Sequence, residues 1–421
     1  MKIAQIVARE IYDSRGWPTI QCNLVLEDGM VITSSVPSGL SRSRHEAYEL
    51  RDGGKRLWGK GVYKAIENIE EVIAPSLIGK TPNGPTMDIT MLDLDGTSDK
   101  SNLGANSILA VSMAVYKAQA YNEQIQLYEL LAYLCGAETI TMPFPQFNLI
   151  NGGLHSNNKM QIQEFLVVPV GCQYFRTAME LGVTIFHELK NVLSKHGKSI
   201  AVGDEGGFAP QATTDLEALT YLHEAIERVN GSEEANCLIA VDFAASQFYD
   251  RTSGLYTWQG KHLTSAQLIE VYEELVDEYP IYSMEDPLAE DDWEGWKMIN
   301  KKLGDDIQII GDDLYATNFF RIEKGIQDKA STAAIIKPNQ IGTITETLQA
   351  IQLCKNNNMN MVVSHRSGET NDTFIADLAV GSSAGQIKAG GCSRGERLAK
   401  YNRLLEIEDG LLAGFVDGEE E

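Results

Sequence analysis

The chain is short of positive charge. Against 59 aspartates and glutamates it sets only 35 lysines and arginines, a formal net charge of −24 over 421 residues. An acidic surface of that size disfavours nucleic acid and anionic membranes as partners. Cysteine is also scarce, and the six present (Cys22, Cys135, Cys172, Cys237, Cys354, Cys392) form no C-x-x-C pair. That pattern excludes a disulfide frame and a zinc site and reads as reduced, mostly buried thiols of a cytoplasmic protein. No apolar run is long enough for a membrane span of ~20 residues. The segment 139–158 is broken by Pro143, Pro145 and Gly152-Gly153, and the shorter 101–116 reads as a buried helix. The apolar stretch before Arg9 and Glu10 is too short for a signal peptide. Repeats, heptads and low-complexity tracts are missing too, which argues against a scaffold.

What is there is ordinary globular material, 43% apolar and 22% charged, enough for a large core. The length corresponds to about 2.8 average domains, although one α/β barrel alone takes ~250 residues. Over the first 35 residues the pattern is that of strands, with 19–26 alternating and Asp28-Gly29 turning a hairpin. Helical spacing follows over 61–78, 101–116 and 118–134. Strands and then a run of helices predict an α+β unit over residues 1–136.

From residue 137 to 421 the rhythm is that of βα units. Short apolar runs lead in turn to Glu164, Glu205, Asp242, Glu285, Asp312, Lys337, His365 and Lys388. A polar residue on leaving the core is unremarkable for one strand, but eight ionisable residues at intervals of 23 to 43 form a pattern. In a (β/α)8 barrel all strand ends open on one face, where active sites sit. The spacing therefore predicts eight distant side chains gathered at one mouth.

Asp242, Glu285 and Asp312 would repel one another unless a cation stood among them. Oxygen ligands without His or Cys favour Mg²⁺. Asp286 and Asp313 are adjacent alternatives, and spacing does not choose within each pair. Lys337, His365 and Lys388 bring positive charge to the other side. Two lysines near each other and near Mg²⁺ are expected to lose basicity, which suits one of them as a general base. Arg366 and Ser367 suit a phosphate or carboxylate, and Glu164 with Glu205 can share a proton and act as general acid. Together these residues predict metal-assisted proton abstraction beside a carboxylate.

The motifs Asp13-Ser14-Arg15-Gly16, Val36-Pro37-Ser38-Gly39, Asn151-Gly152-Gly153, Gly203-Asp204-Glu205-Gly206-Gly207, Ser364-His365-Arg366-Ser367-Gly368-Glu369-Thr370 and Gly385-Gln386-Ile387-Lys388 closely resemble the enolase family. The similarity runs from about residue 3 to 408. It implies an N-terminal α+β cap followed by a modified (β/α)8 TIM barrel, and a homodimer or assembly of dimers. It also implies a lyase that reversibly dehydrates 2-phosphoglycerate to phosphoenolpyruvate, a glycolytic step, with two Mg²⁺ per site. A lysine base beside Mg²⁺ is a known trait of that superfamily and not a derivation from these residues.

By resemblance Lys337 is the base and Glu205 the acid, with Glu164 paired to it, and His365 joins them as a catalytic residue. Asp242, Glu285 and Asp312 match the ligands of the first metal, and Ser41 the loop serine that closes over the second. His155, Gln163, Arg366, Ser367 and Lys388 match substrate-binding positions. The chain departs from the family in its mobile loop, where Leu40, Arg42, Ser43 and Arg44 replace smaller or uncharged residues. Trp17, Leu154, Gln247, Asn371 and Gly395 are further departures. Leu40 is expected to obstruct closure, Ser43 to stiffen the loop, and Arg42 or Arg44 to meet an additional anionic group. These changes raise a second reading, a paralogue acting on another phosphoryl or phosphonyl carboxylate, as in phosphonate biosynthesis. A third, non-catalytic binding role gains nothing from clustered carboxylates facing lysines.

Overall fold

A computed structural model describes residues 1–212, 214–230 and 236–417, side chains excepted from 414 onward. The N-terminal part opens with an antiparallel sheet of β1 (Ile3–Tyr12), β2 (Pro18–Leu26) and β3 (Val31–Ser35). In β2 alternate residues Ile20, Cys22, Leu24 and Leu26 are buried, the period of a half-covered strand. They pack against the helix Ala105–Glu123, most of whose residues are buried. The predicted helix at 101–116 thus starts four residues later and runs seven further. A capping box at Gln126 and Glu129 then opens the short helix Leu127–Leu134.

The second part closes an eight-stranded barrel. Its strands are β4 (Phe144–Asn151), β5 (Glu164–Pro169), β6 (Cys237–Asp242), β10 (Ile281–Glu285), β11 (Gln308–Gly311), β12 (Ala333–Ile336), β13 (Asn360–Ser364) and β14 (Gly385–Lys388). The intervening β7 (Tyr249–Asp250), β8 (Leu255–Trp258) and β9 (Lys261–Leu263) form a small separate sheet. Barrel strands covered on both faces read as continuous apolar runs, as Leu238-Ile239-Ala240-Val241 and Ala333-Ala334-Ile335-Ile336 do.

Six of the eight predicted strand ends are where the spacing places them. Asp242, Glu285 and Lys388 end their strands, and Asp312, Lys337 and His365 directly follow theirs. Two expectations need correction. β5 runs antiparallel to both β4 and β6, so Glu164 begins its strand and does not end it. Residues 200–202 form no barrel strand: Val202 makes only an isolated bridge to Phe208, and Glu205 lies on the connection between the helices Phe175–Lys195 and Asp215–Val229. The eighth strand is β4, which a search for apolar runs followed by an ionisable residue passes over. Among the described residues no helix is long and apolar enough to cross a membrane.

Candidate active site

All the predicted residues but Glu285 line one small cavity at the mouth of the barrel. It is lined by Ser41, His155, Gln163, Glu164, Glu205, Asp242, Asp312, Lys337, Ser364, His365, Arg366, Ser367 and Lys388. A larger hollow of about 540 Å³ lies between the N-terminal sheet and the barrel, beside Asp13 and Asp372, but lacks these converging groups. Chemistry locates the site here better than size.

Strand register explains the carboxylates. Glu285 of β10 is opposite Asp242 of β6, and β11 on the other flank delivers Asp312. Within the first acidic pair the two carboxylates differ in their engagement. Asp286, at φ 40°, turns its carboxylate to accept the amides of Asp312 (2.9 Å) and Asp313 (2.8 Å). Glu285 instead accepts two bonds from Lys388 Nζ, at 2.8 and 2.7 Å. Lys388 also stands 3.3 Å from Glu164 and 3.6 Å from Asp242. Lys337 donates to Asp312, whose other oxygen accepts from Gln340 at 2.9 Å.

These pairings oppose the expected loss of lysine basicity, which counted Mg²⁺ alongside. Burial does pull both lysines down. Against burial, Asp312 and Glu285 together raise Lys337, and Glu164, Glu285 and Asp242 raise Lys388, so among the protein's own groups both are held above the ordinary value. The expectation added the charge of Mg²⁺, which opposes that of these carboxylates.

On the opposite wall the loop Gly203–Gly207 carries Glu205. Gly206 is at φ +88°, and a Cβ on Gly207 would come 2.8 Å from the Asn148 carbonyl oxygen, so only glycines let this turn lie against β4. Asn148 Nδ2 donates to Glu205 at 2.9 Å. Burial, then the neighbouring Glu205, pushes the Glu164 carboxyl up to about 7, so the two can share a proton. Burial also takes His155 down to about 4, and burial with Arg397 and Lys388 takes His365 well below its usual range. Both imidazoles are neutral near pH 7.

Sequence reasoning missed Arg397. It is fully buried and donates to His365 Nδ1 (2.6 Å), the Arg366 carbonyl (2.7 Å) and the Ser367 carbonyl (2.7 Å). A neutral imidazole that accepts at Nδ1 carries its proton on Nε2, and that atom lies 3.5 Å from Glu205. Nothing in its local pattern separates Arg397 from a surface arginine of the terminal helix.

The loop from the N-terminal part closes the cavity. Ser41 lines it and its carbonyl accepts from Arg366 at 3.2 Å. Arg366 is braced by Glu46 (2.9 and 3.1 Å) and Asn339 (3.0 Å). Two expectations about the loop fail, and the two arginines are engaged outside the catalytic cavity. Leu40 is 41% exposed and lines no part of the cavity. Ser43 has no left-handed backbone, so glycine is not needed there, and its hydroxyl donates to Glu290 at 2.7 Å. Arg42 pairs with Glu49, and Arg44 with Glu290 and Asp291, away from the reacting groups.

A hard divalent cation fits the donor set. Asp242, Glu285 and Asp312 supply oxygen, and their three charges exceed those of Lys337 and Lys388 by one, or by two when Glu164 is ionised. Glu164 Oε2 and Gln163 Oε1 are buried without a hydrogen-bond partner. Two groups among the described residues bring ligand atoms within 4.8 Å of one another, His155 with Glu164 and Glu205, and Asp286 with Asp312 and Asp313; the expected set of Asp242, Glu285 and Asp312 is not one of them.

Comparison with known proteins agrees with this geometry. A family model described as "Enolase, N-terminal domain" matches residues 3–131, and one described as "Enolase, C-terminal TIM barrel domain" matches residues 139–417. The chain is 46% identical over 411 residues to a Corynebacterium kroppenstedtii protein named "Enolase", covering 97% of this chain and 96% of that one. A Natranaerobius thermophilus protein of the same name is 48% identical over 410 residues, covering 97% and 95%.

Proposed function

The chain belongs to the enolase family, and we propose from this that it is a hydro-lyase converting 2-phosphoglycerate reversibly to phosphoenolpyruvate and water. The observation that carries the reading is that Lys337 and the Glu164–Glu205 pair line one cavity. Lys337 takes the proton from the carbon beside the substrate carboxylate, and works as base only with Asp312's charge engaged elsewhere. Glu205, sharing a proton with Glu164, protonates the departing hydroxyl. His365, its proton fixed on Nε2 by Arg397, supports Glu205. Lys388 faces the substrate carboxylate, Arg366 and Ser367 hold the phosphoryl group, and His155 and Gln163 frame the remainder.

Asp242, Glu285 and Asp312 would hold Mg²⁺, with Ser41 toward a second ion. Bound there, the metal supplies positive charge beside the substrate carboxylate as its negative charge grows. Residues 1–136 act as the cap and 137–421 as the barrel, in a cytoplasmic homodimer or assembly of dimers. The phosphonyl-carboxylate reading loses its support, because Arg42 and Arg44 are engaged by acidic residues outside the cavity.

Purified protein with Mg²⁺ and 2-phosphoglycerate should generate the ultraviolet absorbance of phosphoenolpyruvate. Lys337→Ala should abolish exchange of the substrate α-proton with solvent deuterium. Retained exchange would show another base, and no turnover at high enzyme concentration would refute the assignment.

A further inference from the structure

Beside the loop, sharing no lining residue with the catalytic cavity, is a second cavity of about 340 Å³. Arg15, Trp17, Leu40, Arg42, Arg51 and Lys60 form most of its wall. Four of these six are cations on a chain whose net charge is −24. Two carboxylates touch them: Asp13, 3.5 Å from Arg15, and Glu49, shared by Arg42 and Arg51. Two positive charges are left over. Lys60 forms no ion pair among the described residues; its ammonium lies 3.8 Å above the Trp17 ring. Burial and the neighbouring Arg15, Arg51 and Arg42 hold it below its ordinary basicity.

Two of the cations, Arg15 and Arg51, are also fixed in place. Arg15 donates to the Ser38 carbonyl at 3.1 Å, and Arg51 to the Lys60 carbonyl at 2.8 Å and Ser38 Oγ at 3.0 Å. Side chains already ordered lose little entropy on meeting a ligand. Trp17, Leu40 and Arg42 are three of the departures from the family pattern, and all face this one hollow. Rigid, surplus positive charge over an aromatic floor is the chemistry that recognises a compact oxyanion.

We propose that this cavity is a second anion site, separate from the catalytic one, which takes a phosphate-bearing small molecule. Leu40 and Arg42 flank Ser41, so an occupant that draws Arg42 from Glu49 acts on the loop that closes the active site. The binding claim stands without the assigned reaction; only the coupling to the loop rests on it.

The test is calorimetry and tryptophan fluorescence with inorganic phosphate on the full-length protein, with Mg²⁺ and saturating 2-phosphoglycerate occupying the catalytic site. Wild type should show saturable binding reported by Trp17. Lys60→Gln should weaken it about tenfold while the KM for 2-phosphoglycerate stays within twofold, since Lys60 does not line the catalytic cavity. Trp17→Asn should remove the fluorescence change and weaken the heat. A matching change from excess 2-phosphoglycerate alone would identify the substrate itself as occupant, and a change with phosphate only would point to another phosphorylated molecule. Absence of saturable binding, or unchanged affinity in Lys60→Gln, would overturn the site. Failure of turnover with phosphate binding intact would instead remove the assigned reaction.

Discussion

Replacing Lys388 by methionine tests how the barrel mouth is held together. The ammonium is buried and touches Glu285 at 2.7 and 2.8 Å, with Glu164 and Asp242 within 3.6 Å. Methionine fills similar space but leaves those carboxylates uncompensated, which costs about 3–5 kcal/mol for a broken buried pair. The cost depends on pH. Burial, more than any neighbour, already holds Asp242 and Glu285 above ordinary carboxylate values. An acid whose folded pKa is raised favours folding at low pH and withdraws that contribution as pH climbs through the folded value. Losing Lys388 raises both further, so protons replace it in acid and cannot in base. Denaturation followed by circular dichroism in EDTA should show a small deficit near pH ~5 and the full ~3–5 kcal/mol by pH ~8. Excess Mg²⁺ should return more stability to the variant than to wild type, because only the variant has lost its resident cation. Equal stability at the higher pH, or a deficit that grows on acidification, would refute the reasoning.

Gly39→Ala places a Cβ 1.9 Å from Arg366 Nη2, and Arg366 is pinned by Glu46 and Asn339. The overlap should cost about 1–3 kcal/mol in a thermal or chemical melt and raise the KM for 2-phosphoglycerate; unchanged values would mean the loop shifts freely. Arg397→Met removes the donor to His365 Nδ1 and to the Arg366 and Ser367 carbonyls. It should lower kcat/KM on the order of a hundredfold, with histidine NMR showing the His365 proton no longer confined to Nε2; an unchanged tautomer would exclude the positioning role.

Much of the barrel was legible because two-sided burial forces apolar runs, and because a parallel strand delivers its last residue to the mouth. That logic reaches Asp242, Glu285, Asp312, Lys337, His365 and Lys388. It misplaces Glu164 and Glu205, since direction and connectivity leave no trace in local composition. β4 escaped notice because it leaves the barrel at Asn151, an uncharged residue. The loop contacts were hidden for a different reason: the partners of Arg42, Ser43 and Arg44 are Glu49, Glu290 and Asp291, and two of those are some 250 positions away. Arg397 illustrates the same limit, as its worth lies in carbonyls contributed by another segment.

Reversing β5 alters which end of the barrel the polypeptide visits. An ordinary βα step spends its return journey outside and re-enters from the far end. Here the chain stays at the catalytic end after β4, descends through β5, climbs by one helix and descends by the next before β6 begins. Two connections then lie at the working rim, within residues 152–163 and 196–212, the same number that two ordinary steps would place there. The first furnishes His155 and Gln163, the second Glu205. A single inverted ribbon thus changes which stretches of backbone supply the proton-handling groups, an interhelical turn standing in for a strand end, without altering how many connections reach that rim.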